Sequence, residues 1–176
     1  MTSKLKNKEA TPEHDYLKTG LRARMCDLSW QLRDAVLGKK YDIFLICPVR
    51  GLTEEKKEQI GKLVSDLEAK GKTVYWPPRD TDQNDPVGLR ICGDNRRAIK
   101  RSKEVLVWYD ENSTGSKFDL GITFGSYKKV SLANPGDVIP TDGKKGFNNV
   151  LLALHRKTML KKVQKTLELL EKEERR

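Results

Sequence analysis

One apolar stretch constrains the fold of this chain more than any other feature. Residues 41–48 read YDIFLICP, and every residue after Asp42 in this stretch is apolar. A half-solvated strand would alternate polar and apolar residues, whereas a continuous run is typical of a strand buried on both faces. Such strands form the centre of parallel sheets that are covered by helices on both sides. An α/β fold is therefore the first expectation.

Strands and helices are predicted to alternate after this first strand. A helix opens at residues 53–55 and ends at Gly71, and a strand follows at residues 73–76, which together make a parallel β-α-β unit. Further elements are predicted as a helix at 87–102, a strand at 105–109, a helix at 117–127 and a strand at 129–133. The fold expected is a three-layer α/β sandwich with a flavodoxin-like or Rossmann-like parallel sheet in the order 2-1-3-4. Residues 138–140 would add a short fifth strand at the edge.

The α/β core is predicted to carry a helix at each end. Residues 1–10 are polar and predict a flexible tail, and residues 11–176 are expected to form a single domain with its core at 41–140. Apolar spacing predicts flanking helices at 11–38 and 147–174. The second helix has apolar residues in a 3-4-3 spacing suited to packing on another helix: Leu160, Val163, Leu167 and Leu170. We therefore expect a homodimer.

Composition excludes several classes of protein. The formal net charge is +10, of which residues 1–40 carry +4 (nine basic, five acidic) and residues 155–176 carry +4 (eight basic, four acidic). These charges are interpreted as solvated faces of the flanking helices, and because no aromatic residues are interleaved with them, nucleic acid is not expected as a partner. No apolar stretch has membrane-spanning or secretory-signal character, so a cytoplasmic protein without membrane contact is expected. Three widely spaced cysteines give no disulfide or zinc pattern, and neither metal nor cofactor is expected.

Any acid–base chemistry in the predicted cleft would depend on carboxylates. The chain has no P-loop, no G-x-G-x-x-G and no G-x-S-x-G motif, and its two histidines, His14 and His155, lie in the flanking helices. A histidine-activated nucleophile is therefore not expected. The order 2-1-3-4 places the switch point between the first and third strands, where the loops 48–52 and 110–116 meet, with 79–85 nearby. The candidate carboxylates in this region are Asp80, Asp94, Asp110 and Asp119.

A run of small polar residues follows the third predicted strand. Ser113, Gly115 and Ser116 precede a helix, so backbone N–H groups and a positive helix end would face an anion there. Asp119 lies in the first turn of that helix. Asp119 is either an acid stabilised by the helix dipole or a carboxylate that attacks or stabilises a cationic sugar in glycosidic-bond chemistry.

Two arginines follow strands in the predicted loops. Arg50 comes after the first strand and Arg79 after the second. Each is either a solvated surface residue or a partner for a phosphate or carboxylate. The sequence leaves both alternatives open.

From Asp42 to about Gly125 the chain resembles the nucleoside 2-deoxyribosyltransferase-like superfamily, which includes deoxyribosyltransferases and nucleotide N-glycosidases. The matching pieces are a strand ending in proline (FLICP), a helix closed by L-x-x-x-G-x-x-V, and PPRD. A helix ending N-x-x-A-I-x-x-S, the strand EVLVWYD and a small-residue loop leading to F-D-L-G complete the pattern. The resemblance covers about half of the chain and excludes both flanking helices.

The resemblance implies a nucleoside or nucleotide ligand and names two catalytic positions. The family's glutamate nucleophile corresponds to Asp119, whose side chain is one methylene shorter. The aspartate that assists the leaving base in the family corresponds to Asn95, which can donate a hydrogen bond but cannot act as a general acid. Ser113, Gly115 and Ser116 would hold a 5′-phosphate or 5′-hydroxyl. By the same resemblance, Pro48, Arg50 and Arg79 would line the sugar and base side. Asp80 and Asp110, two of the cleft carboxylates, are further candidates for substrate binding.

Three hypotheses for function follow. The first is an N-glycosidase or glycosyl transferase that acts on a nucleoside or nucleotide through Asp119. The second is a sensor module of the same fold that binds such a ligand without turnover. The third is an interaction protein that assembles through its terminal helices.

Overall fold

The computed structural model describes residues 40–143 and 145–175 and contains a four-stranded, all-parallel sheet. The strands are β1 (Tyr41–Ile46), β2 (Val74–Tyr75), β3 (Ser102–Val107) and β4 (Lys129–Leu132). They are arranged in the order β2-β1-β3-β4, which confirms the predicted order 2-1-3-4. The predicted tail 1–10 and helix 11–38 lie outside the described residues.

Helices connect the strands in the manner of a parallel α/β sheet. Among the described residues the helices are α1 (Glu54–Ala69), α2 (Pro77–Asp80), α3 (Leu89–Arg101), α4 (Thr114–Gly125) and α5 (Phe147–Glu174), with a 3₁₀ turn at Pro135–Asp137. The long C-terminal helix has the predicted bounds. No helix in the described ranges has both the length and the apolar character needed to cross a lipid bilayer.

Strand β1 is buried on both faces, as its apolar run predicts. Ile43 and Leu45 belong to a cluster packed against α1, while Phe44 and Ile46 belong to a second cluster that includes residues of α3, α4 and α5. None of these four side chains is more than 5% exposed. Burial of each such side chain stabilises the fold by about 1.5–3 kcal/mol. Strand β1 therefore stabilises the packing of helices on both sides of the sheet.

Local hydrogen bonds explain two differences between the structure and the sequence prediction. Helix α4 begins at Thr114 rather than at residue 117, because the Ser113 hydroxyl accepts a hydrogen bond from the Ser116 N–H and caps the helix. Residues 138–140 do not form the fifth strand. The Val138 N–H donates to the Pro135 carbonyl of the 3₁₀ turn and is therefore not available to a neighbouring strand.

The polar loop after β2 contains an unpredicted helical turn, α2. Pro77 occupies its first position, where a missing N–H costs nothing. The Asp80 carboxylate accepts a hydrogen bond from the Trp76 N–H at 2.8 Å, which closes the turn. The loop is therefore shorter and more ordered than its composition suggests.

We expect Gly71→Ala to lower the free energy of unfolding by about 1 kcal/mol. Gly71 follows α1 with φ at +74°, and a Cβ at this position would have nothing within 4 Å, so the cost is conformational and not steric. Urea denaturation measures the change. Gly136→Ala is the matched control, since Gly136 also has open space but no positive φ. Equal losses in the two variants would contradict the assignment.

Candidate active site

A cavity of about 310 Å³ opens at the carboxyl ends of β1 and β3, the switch point predicted from the strand order. Ligand pockets have volumes of about 300–1,000 Å³, so this cavity is at the lower end of that range and suits one small molecule. Six predicted site residues line it: Arg50, Asn95, Ser113, Gly115, Ser116 and Asp119. Ten others also line it: Cys47, Val49, Pro77, Gln83, Gly88, Ile91, Cys92, Asn112, Thr114 and Phe118.

The carboxylate of Asp119 is held at the cavity by a chain of buried hydrogen bonds. The Asn95 amide N–H donates to Asp119 Oδ2 at 2.9 Å, and the Thr81 hydroxyl donates to Asn95 Oδ1 at 3.0 Å. Tyr75 Oη lies 2.8 Å from Thr81 Oγ1. Because the Thr81 proton goes to Asn95, the proton between Tyr75 and Thr81 comes from the Tyr75 hydroxyl, which also has the Asp80 carbonyl as a more distant acceptor at 3.3 Å. The chain therefore runs in one direction, from strand β2 to the carboxylate.

This arrangement orients Asn95 as a donor toward Asp119. Asn95 and Asp119 are only 7% and 8% exposed, so both polar groups need partners inside the protein. A carboxylate can only accept hydrogen bonds when ionised, which requires the Asn95 NH₂ group to face it. Oδ1 of Asp119 has no hydrogen-bond partner among the described residues. One oxygen of Asp119 is thus positioned, and the other is left for a ligand.

Burial makes the ionised form of Asp119 costly. It raises the pKa of Asp119 from 3.8 to about 6, and the hydrogen bond from Asn95 opposes this increase. The carboxylate is therefore ionised at neutral pH but is close to its titration range. A buried acid with a shifted pKa, in a cavity, is typical of a functional site.

The first turn of α4 supplies hydrogen-bond donors to the same cavity. Ser113 caps the helix, and its Oγ lies 2.7 Å from the Ser116 Oγ. The N–H groups of Thr114 and Gly115 have no acceptor among the described residues, as expected for the first positions of a helix. Together with the helix dipole, these groups form an environment suited to an anion.

Arg50 adds a positive charge to this environment. It follows β1, is exposed, and makes no ion pair with the described residues. A guanidinium group without a protein partner at a cavity is free to bind a phosphate or carboxylate. The sequence leaves the roles of Arg50 and Arg79 open, and of these two Arg50 is the one that lines the cavity.

Arg79 does not line the cavity, because its side chain is used in local contacts. Its guanidinium group pairs with Glu68 at 3.0 Å and with Asp80 at 2.8 Å, and it also donates to the Val74 carbonyl. Hydrogen bonds to Asp80 raise the pKa of Arg79 above its usual range. Arg79 and Asp80 therefore stabilise the connection between β2 and α2.

The remaining predicted residues also lie outside the cavity lining. Asp110 accepts a hydrogen bond from the Asn112 N–H at 2.9 Å and lies 3.8 Å from Lys56. Pro48 is buried. Asp94, a candidate carboxylate, is paired with Arg97 one turn along α3. Among the described residues, Asp119 is thus the only carboxylate that lines this cavity.

The two cysteines at the cavity are neutral thiols. Burial raises the pKa of Cys47 to about 12, and burial is also the main cause of the raised pKa of Cys92. The thiolate is the nucleophilic form, so neither residue is suited to attack a substrate. Both cysteines shape the cavity wall instead.

Phe118 also lines the cavity, although it is not among the site residues predicted from the sequence. Its side chain is 56% exposed although it is aromatic. An exposed ring at the mouth of a cavity offers a surface for a flat ligand. Its position directly before Asp119 in α4 is the sequence signal that could have indicated it.

No protein-family model, curated protein or solved structure matches the chain.

We expect Asp119→Asn to be more stable than the unmodified protein at pH 8, by up to about 3 kcal/mol. The pKa of Asp119 is higher in the folded state than its ordinary 3.8. The folded state therefore binds the proton more tightly, and the stability that this binding contributes is present below pH 4 and lost as the pH rises through about 6. The amide avoids that loss, because it cannot ionise.

The measurement is urea denaturation of both proteins between pH 4 and pH 8. The stability difference should grow between pH 4 and pH 6 and then become constant. Asp66→Asn, a change of the same type at an exposed position of α1, is the matched control and is measured over the same pH range. A flat difference for Asp119→Asn would show that burial does not disfavour its charge.

Proposed function

We propose that the protein cleaves or transfers at the N-glycosidic bond of a nucleoside or nucleotide, with Asp119 as the nucleophile or as the group that stabilises the cationic sugar. The observation that carries this proposal is the cavity itself. It joins one buried, positioned carboxylate to unpaired N–H donors at a helix start, a free guanidinium group and an exposed aromatic ring. The resemblance of residues 42–125 to the deoxyribosyltransferase-like superfamily supports the same chemistry.

The spacing along α4 supports a nucleotide as the ligand. Gly115 and Asp119 are four residues apart and therefore lie on one face of the helix, about 6 Å apart along its axis. This is similar to the separation between the 5′-phosphorus and the anomeric carbon of a nucleotide. A phosphate bound at the helix start would thus place the sugar carbon near the carboxylate.

In this reaction the bond between the anomeric carbon and the base nitrogen breaks, and the base leaves with the electron pair. The Asp119 carboxylate forms a bond to the carbon or compensates its positive charge, and water or an acceptor nucleophile then takes the sugar. The base receives its proton from solvent, because Asn95 cannot supply one. Asn95 acts by orienting Asp119.

The identity of Asn95 favours a second candidate, a sensor module that binds a nucleotide without turnover. The Asn95 side chain is held between Thr81 and Asp119 and has no acidic proton to give to a leaving base. A protein that binds its ligand without turnover needs no proton donor, so the positioning of Asp119 by Asn95 is sufficient for it.

We expect a panel of nucleosides and nucleoside monophosphates to include a substrate from which the protein releases free base. The rate should rise with pH up to about 6 and then level off, because only the ionised carboxylate of Asp119 is active. Liquid chromatography of the products measures the rate. Release that falls over the same pH range would contradict this role for Asp119.

Asp119→Asn should lower base release by at least about 10³-fold, whereas Asp66→Asn should leave it unchanged. If no compound releases base but nucleotides raise the melting temperature of the protein, the sensor function applies. If Asp119→Asn retains full activity, the assignment of the nucleophile is wrong.

We expect Arg50→Gln to weaken binding of nucleoside monophosphates by about 10-fold to 100-fold, with a smaller effect on the corresponding nucleosides. The guanidinium group at the cavity adds a charge-assisted contact that an amide cannot replace. Isothermal titration calorimetry measures both affinities. Arg79→Gln is the matched control, since Arg79 is paired with Glu68 and Asp80 outside the cavity. An equal loss of affinity in both variants would contradict the assignment of Arg50 to the site.

A further inference from the structure

The N-terminal half of helix α5 packs on the sheet, and its C-terminal half does not. The Leu132 N–H donates to His155 Nδ1 at 3.1 Å, and Lys162 pairs with Glu104 of β3 at 2.8 Å. Every described residue from 159 to 175 is exposed. From residue 163 onward, no hydrogen bond or ion pair joins α5 to another described element. The end of this long helix therefore lies outside the core.

This exposed half carries an apolar seam, which is defined by Leu160, Val163, Leu167 and Leu170. Each of these side chains is more than half exposed, at 64%, 54%, 55% and 51% respectively. Successive residues of a helix are rotated by about 100°, so the seam lies more than about 90° around α5 from the face that carries His155 and Lys162. It points away from the sheet. The 3-4-3 spacing is that of a helix that packs against a second helix.

Charge is unevenly distributed along this part of α5. Residues 156–165 carry five basic residues and no acidic residue: Arg156, Lys157, Lys161, Lys162 and Lys165. The remainder, residues 166–176, is nearly balanced, with four glutamates (Glu168, Glu171, Glu173 and Glu174) and three basic residues (Lys172, Arg175 and Arg176). Two copies of the helix side by side in a parallel arrangement would bring like charges together. An antiparallel arrangement separates the two basic segments and places each one opposite the segment of the other copy that carries the four glutamates.

We propose that the protein self-associates through antiparallel pairing of the α5 seam with the seam of a second copy. The seam then places Leu160 opposite Leu170 and Val163 opposite Leu167. In this register Lys157 of each copy lies across from Glu171 of the other, because these residues flank the seam on the same side of the helix. The contact is symmetric and closes as a dimer. It does not involve the candidate active site.

Sedimentation of the full chain between about 1 μM and about 100 μM tests the proposal. A concentration-dependent monomer–dimer equilibrium is expected. Leu167→Asp places a charge in the seam and should weaken dimerisation at least about 100-fold. Leu169→Asp is the matched control, because Leu169 is 52% exposed but lies off the seam, and its dimer should match that of the unmodified protein within about twofold. Circular dichroism verifies that both variants fold.

Charge reversal tests the antiparallel register. Lys157→Glu and Glu171→Lys should each weaken the dimer by about 3-fold to 10-fold, and the double variant should restore it to within about twofold. A protein that is monomeric at all concentrations would overturn the proposal. So would a dimer that survives Leu167→Asp, or a double variant that is weaker than both single variants.

Discussion

Burial of β1 on both faces is the constraint on which the rest of the structure depends. A strand without a polar face must be covered twice, so helices are required on both sides of the sheet. The same burial places β1 in the interior of the sheet, between β2 and β3. The chain after β1 and the chain after β3 therefore leave the sheet side by side. The cavity between them is a consequence of topology, and the side chains in it decide its chemistry.

Asp119 is the residue at which stability and the proposed function compete. Its charge is disfavoured by burial, yet a hydrogen-bond chain from Tyr75 through Thr81 and Asn95 is built to receive it. A fold optimised for stability alone would place an amide or an apolar residue here. The sequence has a carboxylate at this position instead, and the hydrogen bond from Asn95 holds one of its two oxygens. Such an arrangement is expected where the charge itself has a role.

The sequence was informative about the sheet and less informative about the site, and the reasons differ from residue to residue. Strand order followed from periodicity and from the handedness of parallel connections. Arg79 looked equivalent to Arg50 in sequence, because both follow a strand in a polar loop. Their difference depends on Glu68, which is brought to Arg79 by the packing of α1 and is absent from the local pattern. Contacts between residues distant in sequence are not readable from spacing.

The start of α4 illustrates a local signal that sequence reasoning can under-use. Ser113 was placed in a loop, although a serine before a helical pattern is a strong N-cap. Capping at Ser113 draws Thr114 to Ser116 into the first helical turn and directs their N–H groups along the helix axis toward the cavity. It also sets Asp119 more than one turn inside the helix. An anion at the helix start and the Asp119 carboxylate are then separated by a full turn, which limits the repulsion between them. In the proposed function, this one capping residue would let the cavity bind a negatively charged ligand beside a buried negative charge.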